Sequence, residues 1–218
     1  MTRKQLLKLI EDGEGLTVEF KQRFSTHEKI AKEILALANT KGGCILFGVN
    51  DDHSICGVES EKGEAELIKL TADNYCEPKI DYKLHFFDIS DKEIVVMEIA
   101  ESKIKPHRIQ DYLPELDIRK ASVYVRVKDM SVLASKEMIK ILQANSSGKP
   151  LKHYEIGKHE KIAFEYLDSN DTITVKQLSN LANISTRRAS RALIKLVRAN
   201  LLMIHSKDNG EDYFTYIG

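Results

Sequence analysis

Cysteine is scarce in this sequence: Cys44, Cys56 and Cys76 are odd in number, far apart, and form no C-x-x-C pair. That pattern excludes a disulfide scaffold and argues against a structural zinc site, and it suits a reducing compartment. Long apolar runs are also missing. No stretch approaches the roughly 18 apolar residues of a membrane span, and Met1-Thr2-Arg3-Lys4 leads into an amphipathic stretch rather than a signal peptide. A soluble cytoplasmic protein with no membrane partner is therefore expected. Net charge is lacking too, with 33 basic and 33 acidic side chains, so overall charge does not point to a nucleic-acid partner and any basic footprint must be local. Residues 1–144 carry 22 basic and 25 acidic side chains, and residues 155–218 carry nine and eight. The chain has no internal repeat, no low-complexity tract and no G-x-x-x-x-G-K-[ST], so no ATP hydrolysis is expected.

What is present is a globular composition, 42% apolar and 30% charged over 218 residues, enough for one ordinary domain and a small one. Leu6, Leu7 and Ile10 recur at helical spacing between Thr2 and Asp12, with Gly13 placed as a left-handed C-cap. Leu16, Val18 and Phe20 alternate with polar residues, which predicts a strand with Glu19 pointing away from the core. Ser25 or Thr26 caps a second helix, Cys44 to Val49 reads as a buried strand, and Asn50-Asp51-Asp52 as a tight turn leading to a short partner at Ile55 to Val58. A helix from Gly63 to Tyr75, a hairpin of Ile80–Ile89 and Glu93–Ile99 turning at Ser90-Asp91, a strand at Ser122–Val127 and a closing helix after Ser135 complete an α+β or mixed α/β domain over residues 1–144. The linker chemistry of Asn145-Ser146-Ser147-Gly148-Lys149-Pro150 places a boundary at 145–154.

Residues 155–218 read as a winged helix-turn-helix. Ile162, Ala163, Tyr166 and Leu167 form one helical face; Val175, Leu178 and Leu181 a second, with Thr174 as N-cap; Ala189, Ala192, Leu193 and Leu196 a third after the turn Asn183-Ile184-Ser185. Leu201–His205 and Tyr213–Ile217 flank Asn209-Gly210 as the hairpin wing. The third helix carries Arg187, Arg188, Arg191, Lys195 and Arg198 with no acid among them, and Ser185 and Thr186 put hydroxyls at its start. Guanidinium forks pair with guanine edges or phosphate oxygens, so Ser185, Thr186, Arg187, Arg188, Arg191 and Lys195 are the candidate contacts to duplex DNA. Solvation of an exposed helix is the plain alternative for a charge run, and a protein-interaction module the alternative for the fold. Since one small helix-turn-helix gathers few contacts, a homodimer or higher homo-oligomer is expected.

In the first domain, Gly13-Glu14-Gly15-Leu16-Thr17-Val18-Glu19-Phe20-Lys21, Ala36-Leu37-Ala38-Asn39-Thr40-Lys41-Gly42-Gly43, Phe47-Gly48-Val49-Asn50-Asp51-Asp52, Gly57-Val58, Lys105-Pro106-His107, Val123-Tyr124-Val125-Arg126-Val127 and Ala134-Ser135 occur in order. Together, across residues 4–142, they resemble the Schlafen AlbA domain, also called a divergent AAA-type DNA-binding domain. For bacterial-type members the resemblance implies a transcriptional regulator, often with a helix-turn-helix attached. Some animal relatives are metal-dependent endoribonucleases acting on structured RNA through two glutamates and an aspartate. The resemblance carries those roles to Glu14, Glu19 and Asp51, which would be catalytic and hold Mg²⁺ or Mn²⁺ under that alternative alone; under the leading reading no metal or cofactor is expected. Each acid also has an ordinary place, in a turn or on a strand's open face. Gly42-Gly43 reads as a helix cap and tight turn before a phosphate cradle. The seven histidines show no metal-ligand spacing, and Lys103, Lys105, His107 and Arg108 read as a solvated basic loop, with phosphate contact as the alternative. Phe86, Phe87, Tyr124 and Tyr213 read as core or cross-strand residues.

Overall fold

The computed structural model describes residues 1–146 and 156–217. Its contacts divide the chain into two compact units, Met1–Leu133 and Ala134–Gly218.

In the first unit, α1 (Arg3–Asp12) starts at Thr2, whose hydroxyl accepts from Gln5 N–H while the Gln5 side chain accepts from Thr2 N–H, a capping box that satisfies two otherwise orphaned donors. The helix stops at Gly13, with φ 84° and ψ −176°; this is a positive-φ stop, though not the left-handed cap expected. β1 (Val18–Lys21) then runs parallel to β2 (Gly43–Phe47) through the crossover helix α2 (His27–Asn39), N-capped by Thr26. After α3 (Glu61–Asn74), a two-residue strand β3 (Cys76–Glu77) leads to the hairpin β4 (Tyr82–Asp88) and β5 (Glu93–Ile99). Ser90 and Asp91 at its tip both have positive φ, the demand of a type I′ turn. β5 pairs antiparallel with β2, giving a mixed sheet in the order β1-β2-β5-β4.

The central strands are buried on both faces, which is why β2 reads as a continuous apolar run rather than an alternation. Cys44, Leu46, Ile94 and Val96 join Val18, Phe20, Leu6 and Ile10 under α1, while Ile45, Phe47, Val95, Met97 and Ile99 pack with Ile30, Ile34, Leu37 and Ile68 of α2 and α3. A short β6 (Arg108–Ile109) pairs with β3, and a hairpin of β7 (Tyr124–Val127) and β8 (Met130–Leu133) follows. The expected strand at Ser122–Val127 is β7; its partner β8, with a buried Ser131 and exposed Met130 and Leu133, carries no apolar alternation by which to read it.

The second unit begins with α4 (Lys136–Ser146), followed by α5 (Lys158–Leu167), α6 (Val175–Leu181), α7 (Thr186–Arg198), β9 (Leu202–Ser206) and β10 (Asp212–Tyr216). The sequence reading closes the first domain with α4 at 144, whereas the contacts group α4 with the later elements. The helix packs along α7; Ser190 on α7 donates to Glu137 of α4 at 2.6 Å, and Ser135, ahead of α4, donates to Asp212 of β10. Most of the linker expected at 145–154 lies outside the described residues. Ala163, Leu167, Leu178, Ala189, Leu193, Leu196, Leu202 and Phe214 form one core joining α5, α6, α7 and the hairpin, and Ile173 adds a single bridge to Phe214.

Candidate functional site

The cationic face of α7 is set up by what surrounds it. Thr174 caps α6 with a second capping box, to Gln177, and Asn183 at φ 50° reverses the chain into α7, a conformation asparagine adopts more readily than most residues. Ser185 is the N-cap of α7, its hydroxyl accepting from Arg188 N–H. Ala189, Ser190, Ala192, Leu193, Ile194 and Leu196 are buried. On the opposite side, Ser185, Thr186, Arg187, Arg188, Arg191 and Lys195 are all exposed. At 100° per residue, Arg187, Arg198, Arg191, Lys195 and Arg188 fall in that order within an arc of roughly 100°. Among the described residues, Arg187, Arg188, Arg191 and Lys195 form no ion pair with a carboxylate. Arg198 is half-buried and engaged elsewhere.

The β9–β10 hairpin pairs in register from Leu202↔Tyr216 to Ser206↔Asp212. Lys207 N–H donates to Glu211 O and Gly210 N–H to Lys207 O, with Gly210 at φ 81°, so the Asn209-Gly210 turn is longer than a two-residue one and needs its glycine at the left-handed position. His205 and Tyr213 stack across the strands at 4.9 Å. Asp212, held by hydroxyls of Ser135 and Ser206, has its carboxyl pushed above the usual range by burial, which outweighs those hydrogen bonds; nearby Glu137 pushes the same way.

The three acids of the first unit stand near one another. Burial raises the Glu14 carboxyl above its ordinary value, the hydrogen bond from Phe20 N–H lowers it, and the charges of Glu19 and Asp51 raise it again. Glu19, expected on an open strand face, is 7% exposed. Alternation does turn it away from Val18 and Phe20, but that side of the sheet is covered too. Its carboxylate accepts from Arg126 Nη1 at 2.7 Å and from Lys21. Arg126 also donates to Glu33 at 3.2 Å, to Ser131 at 3.3 Å, to Gly15 O at 2.6 Å and to Val18 O at 3.3 Å. Asp51 is exposed in the Asn50–Ser54 turn, where Asp52 rather than Asp51 accepts from Ser54. With Glu19 spent on two cations and Glu14 on a backbone N–H, the acids as arranged do not form a metal cage, and no group of three or more His, Cys, Asp or Glu among the described residues is placed to hold an ion.

The basic loop is solvated only in part: Lys103 is exposed, but the other three basic residues are not. His107 and Arg108 are buried; Lys105 donates to Thr40 O and Glu101, and Arg108 lies 3.1 Å from Glu77 and 3.3 Å from Asp111. His107 donates from Nδ1 to Pro78 O at 2.7 Å. The buried Asn39 side chain donates to His107 O and Tyr124 O and accepts from His107 N–H, tying α2 to both segments. A Cβ on Gly42 would lie 2.5 Å from Ile99 O, and one on Gly43 2.1 Å from Thr17 O; close backbone approach therefore accounts for both glycines. Cys44 and Cys76 are buried free thiols, raised by burial to about 11 and about 12, whereas Cys56 is exposed. Phe86 is 48% exposed and stands opposite Val95 on β5, a cross-strand residue rather than a core one. No described helix is long and apolar enough to cross a membrane.

Arg126 and Asn39 escaped the sequence reading as organising residues. The signal was a lone arginine in the otherwise apolar run Val123-Tyr124-Val125-Arg126-Val127, where an unpaired charge would be costly.

The chain is similar to several known proteins. It is 33% identical over 116 residues to an uncharacterized ATP-binding protein of Ureaplasma parvum, a match covering 44% of this chain and 33% of that one, so the chain spans about a third of that relative's length. Among solved structures, the DIP2311 protein from Corynebacterium diphtheriae superposes with a TM-score of 0.44 at 17% identity, covering 62% of this chain and 29% of that one. The N-terminal domain of a protein from Nitrosomonas europaea described as related to the ATP-dependent DNA helicase RecG superposes with a TM-score of 0.39 at 18% identity, covering 54% and 86%. The profile of the family described as Schlafen, AlbA_2 matches residues 14–135, more than half of the chain and the span of the mixed sheet with α2 and α3. The chain belongs to the Schlafen AlbA_2 family.

Proposed function

We propose that the second unit is a winged helix-turn-helix that binds duplex DNA through α7, and that the chain is a DNA-binding transcriptional regulator. The observation that carries the reading is the exposed stripe of Arg187, Arg188, Arg191 and Lys195, headed by the Ser185 and Thr186 hydroxyls and free of ion pairs among the described residues. A helix with one buried apolar side and one cationic side presents its charges to a groove as a rigid set. The β9–β10 hairpin supplies the wing, and the Schlafen AlbA_2 unit supplies oligomerisation, further backbone contacts or effector sensing. A homodimer reading two half-sites fits the size of one such module. ATP hydrolysis is outside this reading despite the name of the Ureaplasma relative, since the sequence lacks the phosphate-binding G-x-x-x-x-G-K-[ST] loop.

A second reading, a metal-dependent endoribonuclease acting on structured RNA, draws support from the placement of Glu19 and Asp51 close enough for their charges to act on Glu14. It stands second because Glu19 is committed to Arg126 and Lys21. One experiment separates the two: the purified protein is incubated with labelled duplex DNA and with tRNA, with and without Mn²⁺. A shifted duplex without cleavage supports the regulator. Metal-dependent tRNA cleavage that disappears in Glu14→Gln would instead establish the nuclease; Glu14 is the better probe because Glu19→Ala also breaks the buried pair with Arg126.

A further inference from the structure

Beside the contact of α5 with α7 lies a cleft of about 220 Å³, lined by His159 and Glu160 from α5 and by Arg188, Arg191, Ala192 and Lys195 from α7. The three cations belong to one flank of the α7 stripe. Arg187, at the opposite margin about 100° away, does not line it. Cations on a convex helix face are each solvated separately, whereas three that border one concavity repel one another unless an anion sits among them. A second observation lies on the α5 wall: His159 Nδ1 is cut off from solvent and has no hydrogen-bond partner among the described residues, although buried polar atoms are ordinarily paired. Glu160 is the single acid of the cleft. It is 6% exposed, and its Oε2 would stand 2.7 Å from a Cβ on Gly157, the N-cap of α5. One of its carboxylate oxygens thus stands beside the N-terminus of its own helix, where negative charge is favoured.

We propose that this cleft is a phosphate-binding subsite, in which Arg188, Arg191 and Lys195 grip one phosphate and His159 lines its α5 wall. Guanidinium forks bind phosphate oxygens bidentately, and lysine adds a point charge. The inference rests on the reading that α7 faces nucleic acid, and adds a division of labour to it: the flank toward α5 holds a phosphate, which positions the helix, while Ser185, Thr186 and Arg187 remain for base edges. The same chemistry could come from a backbone phosphodiester or from a free phosphorylated small molecule, and the test has an arm for each.

In the first arm, inorganic phosphate is titrated into the full chain at ionic strength matched with chloride, following the His159 ring signals by NMR. A saturable shift that is lost in the Arg191→Gln/Lys195→Gln variant is expected; absence of a saturable shift in the unaltered chain overturns the subsite. In the second arm, Arg188→Gln is compared with the unaltered chain on two duplexes of unrelated sequence. A backbone source predicts equal loss of affinity on both and a log-log salt slope shallower by about one. Phosphate binding with duplex affinity and slope unchanged assigns the site to a free phosphorylated ligand. Phosphate binding without any duplex binding by the unaltered chain keeps the subsite and removes the DNA reading of α7, whereas duplex binding without phosphate binding does the reverse.

Discussion

Arg126 Nη1 lies 2.7 Å from Glu19 Oε2, with both side chains buried and the arginine fully enclosed. Two chain segments that share no local pattern are joined there, and Glu33 and Ser131 complete the enclosure. Breaking a buried pair costs about 3–5 kcal/mol where it strands the surviving charge; here Lys21 stays beside Glu19 and Glu33 beside Arg126, so the cost is smaller. Arg126→Met and Glu19→Gln are therefore each expected to lower the denaturant midpoint of the first unit. Arg126→Met should be the more damaging, because it also removes the donors to Gly15 O and Val18 O. Combining the two should cost less than the sum of the single changes; strict additivity would contradict the coupling.

Asn39→Ala should destabilise the same unit by about 3 kcal/mol, since it leaves His107 O, Tyr124 O and His107 N–H without their partner at about 1 kcal/mol or more for each buried group. Urea unfolding monitored by circular dichroism measures it. A change smaller than about 0.5 kcal/mol, the size of an ordinary surface substitution, would mean that the three segments are held together by other contacts.

Gly43→Ala and Gly15→Ala make a paired test of close approach. At Gly43, φ is 146° and a Cβ would meet Thr17 O at 2.1 Å, so the substitution must push β1 away from β2. At Gly15 nothing lies within 4 Å. Loss of soluble folded protein is expected for the first and near-neutral behaviour for the second, scored by yield and thermal unfolding.

How much of this was legible in the sequence depended on range. Thr26 and Thr174 announce their helices because a cap is a local hydrogen bond, and Ser90-Asp91 and Asn209-Gly210 announce hairpins because a turn is a local backbone demand. The one-sidedness of α7 is likewise local, being fixed by the spacing of Ala189, Leu193 and Leu196 against Arg187, Arg191 and Lys195. Glu19 was misplaced because alternation says which face a residue takes and nothing about what covers that face; here the cover comes from Arg126, 107 residues away. The same limit hid the burial of His107 and Arg108, whose partners lie on β3, α2 and the segment after Glu77. The grouping of α4 with the second unit comes from its packing along α7, and the periodicity of an apolar helix face does not say which neighbour it packs against.

His107 supplies a pH dependence. Burial lowers its pKa below the ordinary 6.5, the hydrogen bond to Pro78 O opposes this, Lys105 lowers it further and Asp81 raises it. The folded state thus binds a proton less readily than the unfolded chain. Stability carried by the neutral ring is complete above 6.5 and is lost as pH falls from there through the folded-state value. Ring signals followed by NMR should show His107 titrating below 6.5, with the denaturant midpoint of the first unit falling over the same range. Titration at or above 6.5 would contradict the burial of this ring.

Whether α7 meets a polyanion is tested most directly by the salt dependence of duplex binding. Affinity for a selected duplex is measured across a salt series for the unaltered chain and for Arg187→Ala with Arg188→Ala. The account predicts affinity at least about tenfold weaker in the variant, the loss of about 1.4 kcal/mol or more, and a log-log slope flatter by between about one and two. Equal affinity and an equal slope for the two proteins would contradict it.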